Sequence, residues 1–427
     1  MIGRIHITTF LAALSVLLLA CAAPEPQPEP AADGAKRPGK WKPMRERQRD
    51  LTPEEQARRD ELAALGYVAG SQEARSDEII TVYDPTRAQQ GYNFYVAGHA
   101  PTAYLMDMDG KVLHEWHTLY QDIWDDYIPY LQDAGMDSWR RAYLFENGDL
   151  LAIFERFAMI KLDKDSNLLW AKKNGAHHDI EVAAEGSIYT LVTEQHLNPR
   201  VHESEEIWED YLVQLDEGGE ELRRCSMVDA FDAAGIDWQS DAKARAKGDI
   251  MHTNSLTIVR SDQRPELPWL TPGLILTSSR TLSLLSFVDM DACRVVKSFK
   301  GDWFRQHDPQ MLPSGTMMLF DNRGLRAQSR VLEVDPASGR TVWEYRGSEE
   351  MPFYSEWCGS ASRLANGNTL INETDQGRSF ELAPDGEIVW EFYNPHRVGE
   401  DPPFIATLYD LVRLPADFPI DWARTQP

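Results

Sequence analysis

The sequence predicts an all-β fold: a six-bladed β-propeller of four-stranded blades, its ring closed by the carboxyl-terminal strand. Three observations predict it. An Asp-rich hairpin recurs six times, a Gly-containing hairpin alternates with it, and one unmatched strand stands at each end of the repeats. A period of roughly 50 residues between copies signals a propeller rather than a sandwich.

The Asp-rich hairpins run from Leu105 to Trp116, Lys161 to Trp170, Gln214 to Cys225, Val288 to Phe299, Glu333 to Tyr345 and Leu382 to Phe392. Asp before Gly or another turn residue accepts hydrogen bonds from its own loop, so these acids are read as turn formers rather than calcium ligands. The alternating turns are Asn147-Gly148, Glu185-Gly186, Ser314-Gly315 and Asn366-Gly367, with a longer fifth case between Thr253 and Ile275. Each blade is therefore a Gly-type hairpin (strands A and B) followed by an Asp-type hairpin (C and D). The sixth A–B pair is split: Tyr92–Val96 supplies B, and Phe404–Pro415 supplies A. Pairing these two leaves the ring without an exposed edge. Trp116, Trp170, Trp343 and Trp390 occupy equivalent places on D strands and are read as packing between blades.

Three regions are expected: a signal peptide over 1–20, a lipidated Pro/Glu-rich tether over 21–78, and the propeller over 79–427. Arg4 precedes an apolar stretch from Phe10 to Ala20, which ends in the lipobox-like Leu18-Leu19-Ala20-Cys21. Cleavage before Cys21 and lipid on its sulfur are expected, and Ala22 favours the outer membrane. The protein is thus expected on the periplasmic side of the cell envelope. Pro24–Pro30 cannot build a core. Thr52-Pro53-Glu54-Glu55 combines a capping box with Pro at the first helical position, and Gly66 closes a helix over 53–65.

A net charge of −25 argues against nucleic acid and anionic headgroups as partners. An anionic substrate would need a local cationic pocket. Beyond Cys21 the chain has Cys225, Cys293 and Cys358, with no metal-ligand spacing. One disulfide is possible in an oxidising compartment, and the sequence leaves its pairing open.

In a propeller, strand A is innermost. The residue eight before the turn Gly falls at the start of that strand: Arg140, His178, His307 and Gly359 in four blades, with Tyr409 in the closing strand. The fifth blade begins with His252-Thr253-Asn254. Three of the chain's eleven His residues therefore converge on the axis. The B–C loops on that face carry Arg156, Arg280 and Arg323, and the D–A loops carry Tyr120, Trp124, Tyr127, Tyr130, Trp139, Trp238, Phe353, Tyr354 and Trp357. Central imidazoles, Arg and an aromatic rim suit an aromatic oxyanion. Three His could also ligate zinc, but no His-x-x-x-His or Cys-x-x-Cys spacing supports it, and neither metal nor cofactor is expected. His177, His114 and His117 are read as structural or solvated.

At these residues the chain resembles the bacterial arylsulfotransferases that use no nucleotide sulfate donor. The resemblance rests on Gly91-Tyr-Asn-Phe94, Tyr104–Val112, Ala176-His-His-Asp179, His252-Thr-Asn-Ser255, Ser278-Ser-Arg280 and Gln306-His307, and covers most of 90–415. It implies transfer of a sulfuryl group between phenols through a sulfated His. His307 takes the nucleophile's place. His252 and Asn254 match the family's His-x-Asn pair, Arg280 its Arg, and His178 its earlier His. The expected partners are a small aryl sulfate donor and a phenolic acceptor. A protonated His178 and Arg280 are expected to hold the sulfuryl oxygens, Asn254 to donate a hydrogen bond, and His252 to act as acid and base. Arg323, Arg156, Arg140, Tyr354 and Trp357 are expected to bind substrate. Oligomeric state is left open. The rival readings are a non-catalytic propeller lipoprotein serving as an outer-membrane scaffold, and a metal- or quinone-dependent enzyme.

Overall fold

Short β-rich runs separated by positive-φ turn glycines pair with their neighbours in sequence, so the sheets are antiparallel meanders. The computed structural model describes residues 73–127, 135–239, 248–260, 267–323, 328–398 and 404–425. The expected signal peptide, Cys21, tether and helix over 53–65 lie outside the described residues. Among those described, no helix is long and apolar enough to cross a membrane.

An edge strand β1 (Ile80–Tyr83) comes first. β2 (Gly91–Ala97), β3 (Thr102–Met106) and β4 (Val112–His117) form most of blade one. Blade two is β5 (Arg141–Leu144), β6 (Leu150–Phe154), β7 (Ala158–Leu162) and β8 (Leu168–Lys172). Blade three is β9 (Ala176–Val182), β10 (Ile188–Leu197), β11 (Glu206–Leu215) and β12 (Glu221–Ser226); helix α1 (Met227–Ala234) follows it. Blade four holds β13 (Thr253–Ile258), β14 (Ile275–Ser279), β15 (Leu284–Asp289) and β16 (Arg294–Phe299). Blade five holds β17 (His307–Met311), β18 (Met317–Asp321), β19 (Arg330–Val334) and β20 (Thr341–Tyr345). Blade six holds β21 (Ser360–Arg363), β22 (Thr369–Glu373), β23 (Arg378–Leu382) and β24 (Ile388–Tyr393). A small hairpin of β25 (Arg397–Val398) and β26 (Phe404–Ile405) leads to β27 (Leu408–Pro415).

The expected closure is present. β27 pairs antiparallel with β2 from Gly91–Pro415 to Ala97–Leu408, which makes it the inner strand of blade one. Not foreseen was β1, which adds a fifth strand outside β24. The A–B turns fall where expected, at Gly148, Gly186, Gly315 and Gly367, all with φ between 84° and 95°.

The blades are held together by apolar side chains between sheets and by indoles. Trp116 and Trp390 are fully buried. Trp116 Nε1 donates to Gly148 O of blade two at 3.0 Å, Trp170 Nε1 to Glu217 O of blade three at 3.0 Å, and Trp390 Nε1 to Met108 O of blade one at 2.9 Å. The D-strand Trp thus packs apolar area and satisfies a turn carbonyl of the next blade. Cys225 at the end of blade three is disulfide-bonded to Cys293 in the C–D turn of blade four, which resolves the pairing left open above.

Candidate active site

Four inner strands break their ladder near their axial ends. Register slips occur opposite His178–Asp179 in β9, Asn254–Ser255 in β13, Asp308–Pro309 in β17 and Tyr409 in β27. A β-bulge adds one residue to one strand and re-aims side chains. In a regular strand, successive side chains point to opposite faces. Here the bulges bring successive residues to the same axial cavity. It is lined by Arg140, Arg141, His178, Asp179, Asn254, Ser255, His307, Asp308, Cys358, Gly359, Ser360 and Tyr409. His178, His252 and Asp308 carry φ of 59°, 48° and 49°, a conformation that L-residues adopt only at a cost the surrounding fold must meet.

The environment of His307 fixes its tautomer. Its Nδ1 lies 2.7 Å from Asn322 Oδ1 and 3.0 Å from Arg305 O, and both of these are acceptors. The Asn322 amide cannot be reversed, because its Nδ2 donates to Ser355 O and Cys358 O at 2.8 and 2.9 Å. Nδ1 therefore carries the proton, and Nε2 keeps a lone pair. That nitrogen is buried and has no hydrogen-bond partner among the described residues. Burial first, then the Arg280 charge, holds the His307 pKa well below the usual imidazole value, so the ring is neutral near pH 7.

His252 stands behind this cavity. Its Nδ1 donates to Asp249 Oδ2 at 2.6 Å, and its ring meets that of His178 edge to face at 5.0 Å. An imidazole oriented by a carboxylate exposes its other nitrogen as a base. Burial keeps its pKa lowered although Asp249 opposes the shift. The Asp249 carboxyl is itself held far below the carboxylate range by His252 and Arg156, which outweigh its burial.

His178 departs from expectation. Burial, with His177, His252, Arg140 and Arg156 around it, lowers its pKa well below the usual value, so it is neutral and not the cation expected of it. Its Nδ1 lies 2.7 Å from His177 Nδ1 and 3.1 Å from Glu155 Oε1. Glu155, His177 and His178 form a group with the donor set for a metal. The ring centroids of the two His are 5.0 Å apart, so the nitrogen–nitrogen line runs through both rings. That is the geometry of a shared N–H···N bond. A metal would require the two lone pairs to converge at an angle.

The guanidiniums divide into two kinds. Arg156 pairs with Asp249 at 3.0 Å, and Arg323 lies 3.4 Å from Asp302 and 3.5 Å from Asp321. Arg140 and Arg280 have no carboxylate within ion-pairing distance among the described residues. Arg140 donates to Cys358 Sγ at 3.1 Å and covers the Tyr409 ring. Arg280 lies over Trp357 with its Nε buried and unpartnered, and burial pushes its pKa down to about 10, leaving it charged at neutral pH. A buried cation without a counter-ion is costly, and a bound anion relieves that cost.

The expected aromatic rim is largely absent. Tyr120, Trp139, Trp238 and Phe353 are buried in the clusters between blades, and Trp124 and Tyr127 pack against them. Tyr130 lies outside the described residues. Tyr354 and Trp357 are half-buried, their backbone N–H groups donating to Glu373 at 2.8 Å and Asp375 at 3.4 Å. Asp249 and Asn322 were not foreseen, although Asn322 directly precedes Arg323 in a B–C loop already placed on the axial face. The second layer of the cavity (Arg141, Asp179, Asp308) was within reach: it is the residue after each axial position, one step further along the same ruler.

No curated protein sequence matches this chain. Among solved structures, a Bacteroides caccae protein of unknown function is similar at TM-score 0.46 and 12% identity, over 71% of this chain and 94% of that one. A catalytically inactive virginiamycin B lyase from Staphylococcus aureus with quinupristin gives 0.42 and 10% over 77% and 90%. Hydrazine synthase from Kuenenia stuttgartiensis gives 0.42 and 12% over 71% and 79%. None of these three likenesses reaches a TM-score of 0.5. The arylsulfotransferase (ASST) family model matches residues 141–395, more than half of the sequence and all of blades two to six. This span contains every side chain of the imidazole–guanidinium cluster except Arg140, and on it the chain belongs to the arylsulfotransferase family.

Proposed function

We propose that this protein moves a sulfuryl group from a phenolic sulfate ester to a phenolic acceptor through a covalent intermediate on His307. One observation carries the reading: among the described residues, the buried Nε2 lone pair of His307 has no partner and stands near two guanidiniums, Arg280 and Arg140, without a carboxylate in ion-pairing distance. In the first displacement Nε2 attacks sulfur. The S–O(aryl) bond breaks, and its electron pair leaves on the aryl oxygen. In the second, the acceptor oxygen attacks the same sulfur, and the S–N pair returns to His307. Splitting the transfer in this way predicts ping-pong kinetics.

Arg280 and Arg140 would hold the equatorial oxygens, where charge accumulates by analogy with phosphoryl transfer. Asn254 lines the cavity, with its Nδ2 donating to Gln306 O at 3.0 Å. His252, oriented by Asp249, takes the acceptor's phenolic proton. The imidazolium so formed gives that proton to the leaving phenol of the next turnover. The aryl group would rest against Trp357 and Tyr354. The amino-terminal sequence supports a lipid anchor at Cys21 on the periplasmic side of the outer membrane, which Cys21→Ala would release into the soluble fraction.

The test is release of p-nitrophenol from p-nitrophenyl sulfate with and without added phenol. Phenol-stimulated release that His307→Ala abolishes is the expected result. Undiminished transfer by His307→Ala would remove His307 as nucleophile. No turnover of any aryl sulfate by folded protein would favour a scaffold.

A further inference from the structure

The axial cavity is lined by carboxylates as well as by imidazoles and guanidiniums. Asp179, Asp308 and Asp410 follow the axial residues His178, His307 and Tyr409 in three bulged strands and converge on one cation, Arg141. Arg141 Nε lies 2.9 Å from Asp179 Oδ1, Nη1 2.7 Å from Asp410 Oδ2, and Nη2 4.0 Å from Asp308 Oδ1. The carboxylates cannot swing away. Leu256 and Ile180 N–H donate to Asp179 at 3.0 and 2.9 Å. Ala361 N–H donates to Asp308 at 3.3 Å, and Ser360 Oγ and Asn372 Nδ2 to Asp410, each at 3.3 Å. Asp179, Asp308 and Arg141 line the same cavity as the unpartnered Nε2 of His307, a residue 4% exposed.

We propose that this carboxylate floor makes the site select monoanionic sulfate esters over dianionic phosphate esters. The inference rests on the sulfuryl-transfer reading and names what that site rejects. An aryl sulfate and an aryl phosphate share a tetrahedral shape and the same acceptor oxygens, so neither fit nor hydrogen bonding separates them well. Charge does: above its second pKa of about 6 a phosphate monoester carries two charges, and a sulfate ester carries one. Arg140 lines the cavity and Arg280 is the leading charge acting on His307, while His178, His252 and His307 stay neutral. The floor sets Asp179 and Asp308 beside one guanidinium, Arg141, whose charge Asp410, outside the lining, also pairs. Attraction to Arg140 and Arg280 and repulsion from the carboxylates both double for a dianion, so it is the excess of floor carboxylates over Arg141 that offsets what the second charge gains from the guanidiniums. The crowding is visible in the floor itself: burial and the neighbouring carboxylates, opposed by Arg141, push the Asp308 carboxyl up to about 7.

Calorimetric binding to the otherwise native protein tests this with two near-isosteric ligands that avoid sulfuryl transfer, benzylsulfonate (one charge) and phenyl phosphate (two). The pH is set at about 8.5, where Asp308 is ionised. Wild type is expected to bind benzylsulfonate at least about tenfold more tightly. Asp308→Asn keeps the shape of the side chain and tolerates the positive φ. It should tighten benzylsulfonate about threefold and phenyl phosphate about tenfold, a logarithmic shift twice as large for the dianion. Asp410→Asn should repeat the two-to-one ratio and guards against a folding defect in the first variant. Equal factors for both ligands, or no shift in either, would overturn the proposal. If neither ligand binds wild type, the sulfuryl-site reading falls and takes this inference with it. Binding of benzylsulfonate with a one-to-one ratio sinks the inference alone.

Discussion

The 2.7 Å bond from His307 Nδ1 to Asn322 Oδ1 decides which ring nitrogen is left for the axis. Because Asn322 is anchored by two backbone carbonyls, it can only accept, and His307 can only present a lone pair at Nε2. Sulfation at Nε2 would put positive charge on the ring, and the same acceptor would stabilise it.

Asn322→Ala should therefore slow the pre-steady-state burst tenfold to a hundredfold, corresponding to about 1–3 kcal/mol for a lost orienting hydrogen bond. The donor KM should change little. The Asn322 bond raises the His307 pKa against burial, so the acid limb of the burst should move to still lower pH in the variant. A burst that keeps its rate and its limb would mean that Arg305 O holds the tautomer alone.

In wild type the acid limb should already lie below pH 6.5, the ordinary imidazole value, because burial disfavours protonated His307. Rapid-quench bursts between about pH 4.5 and 8 read this directly. A limb at or above the ordinary value would contradict the buried, neutral ring.

Asp249→Asn should reduce transfer to phenols of high pKa about a hundredfold, the scale of general acid–base catalysis. Transfer from p-nitrophenyl sulfate, whose leaving group needs no proton, should suffer less. A plot of rate against leaving-group pKa would show a steeper slope in the variant. Parallel slopes would assign Asp249 to holding Arg156 instead.

The blade count, the strand that closes the ring, the packing Trp residues and the axial positions of His178, His307 and Arg140 were legible in sequence because they follow turn chemistry at a fixed spacing, and Asn254 through the His-x-Asn resemblance at the start of its strand. What lay outside that spacing was not. A bulge leaves no compositional mark, so although the second axial layer was one step along the ruler, its turning to the same cavity, and the positive φ of His252, were not legible. Asn322 and Asp249 act from loops. The aromatics of the D–A loops read as a rim, but a large apolar side chain near a blade interface gains more by burial there. Composition cannot tell Arg156, which has found a carboxylate, from Arg280, which has not. Cys225 and Cys293 are brought together only by adjacent blades.

That disulfide closes a loop between residues 68 apart in sequence, worth about 4 kcal/mol by loop-closure entropy. Cys225→Ala with Cys293→Ala should lower unfolding stability by roughly that amount in denaturant titrations. The bond lies at a blade interface away from the cavity lining, so activity at low temperature should persist. An unchanged midpoint would indicate a thiol pair in the native protein.

His99 and His396 stack at 3.6 Å, and burial lowers their pKa values to about 3 and about 4. Their unfolded value is 6.5, so below it the unfolded chain binds more protons. Their contribution to stability is complete above pH 6.5 and is lost as pH falls towards 4 and then 3. His99→Gln should flatten the acid slope of stability by up to about 1.4 kcal/mol per pH unit. An unchanged slope would leave acid sensitivity to the other buried imidazoles.

The placing of β27 inside blade one sets a condition on timing. Tyr409 and Asp410 reach the axis only when β27 docks against β2, so the cavity has no complete wall or floor while the ring is open. A chain still emerging from a ribosome can hold His178, His252 and His307 in separate blades, yet it has no enclosed place to put an anion. Catalytic competence would then be a property of the finished circle, acquired in one step at the end of folding, and activity itself would report that the circle had closed.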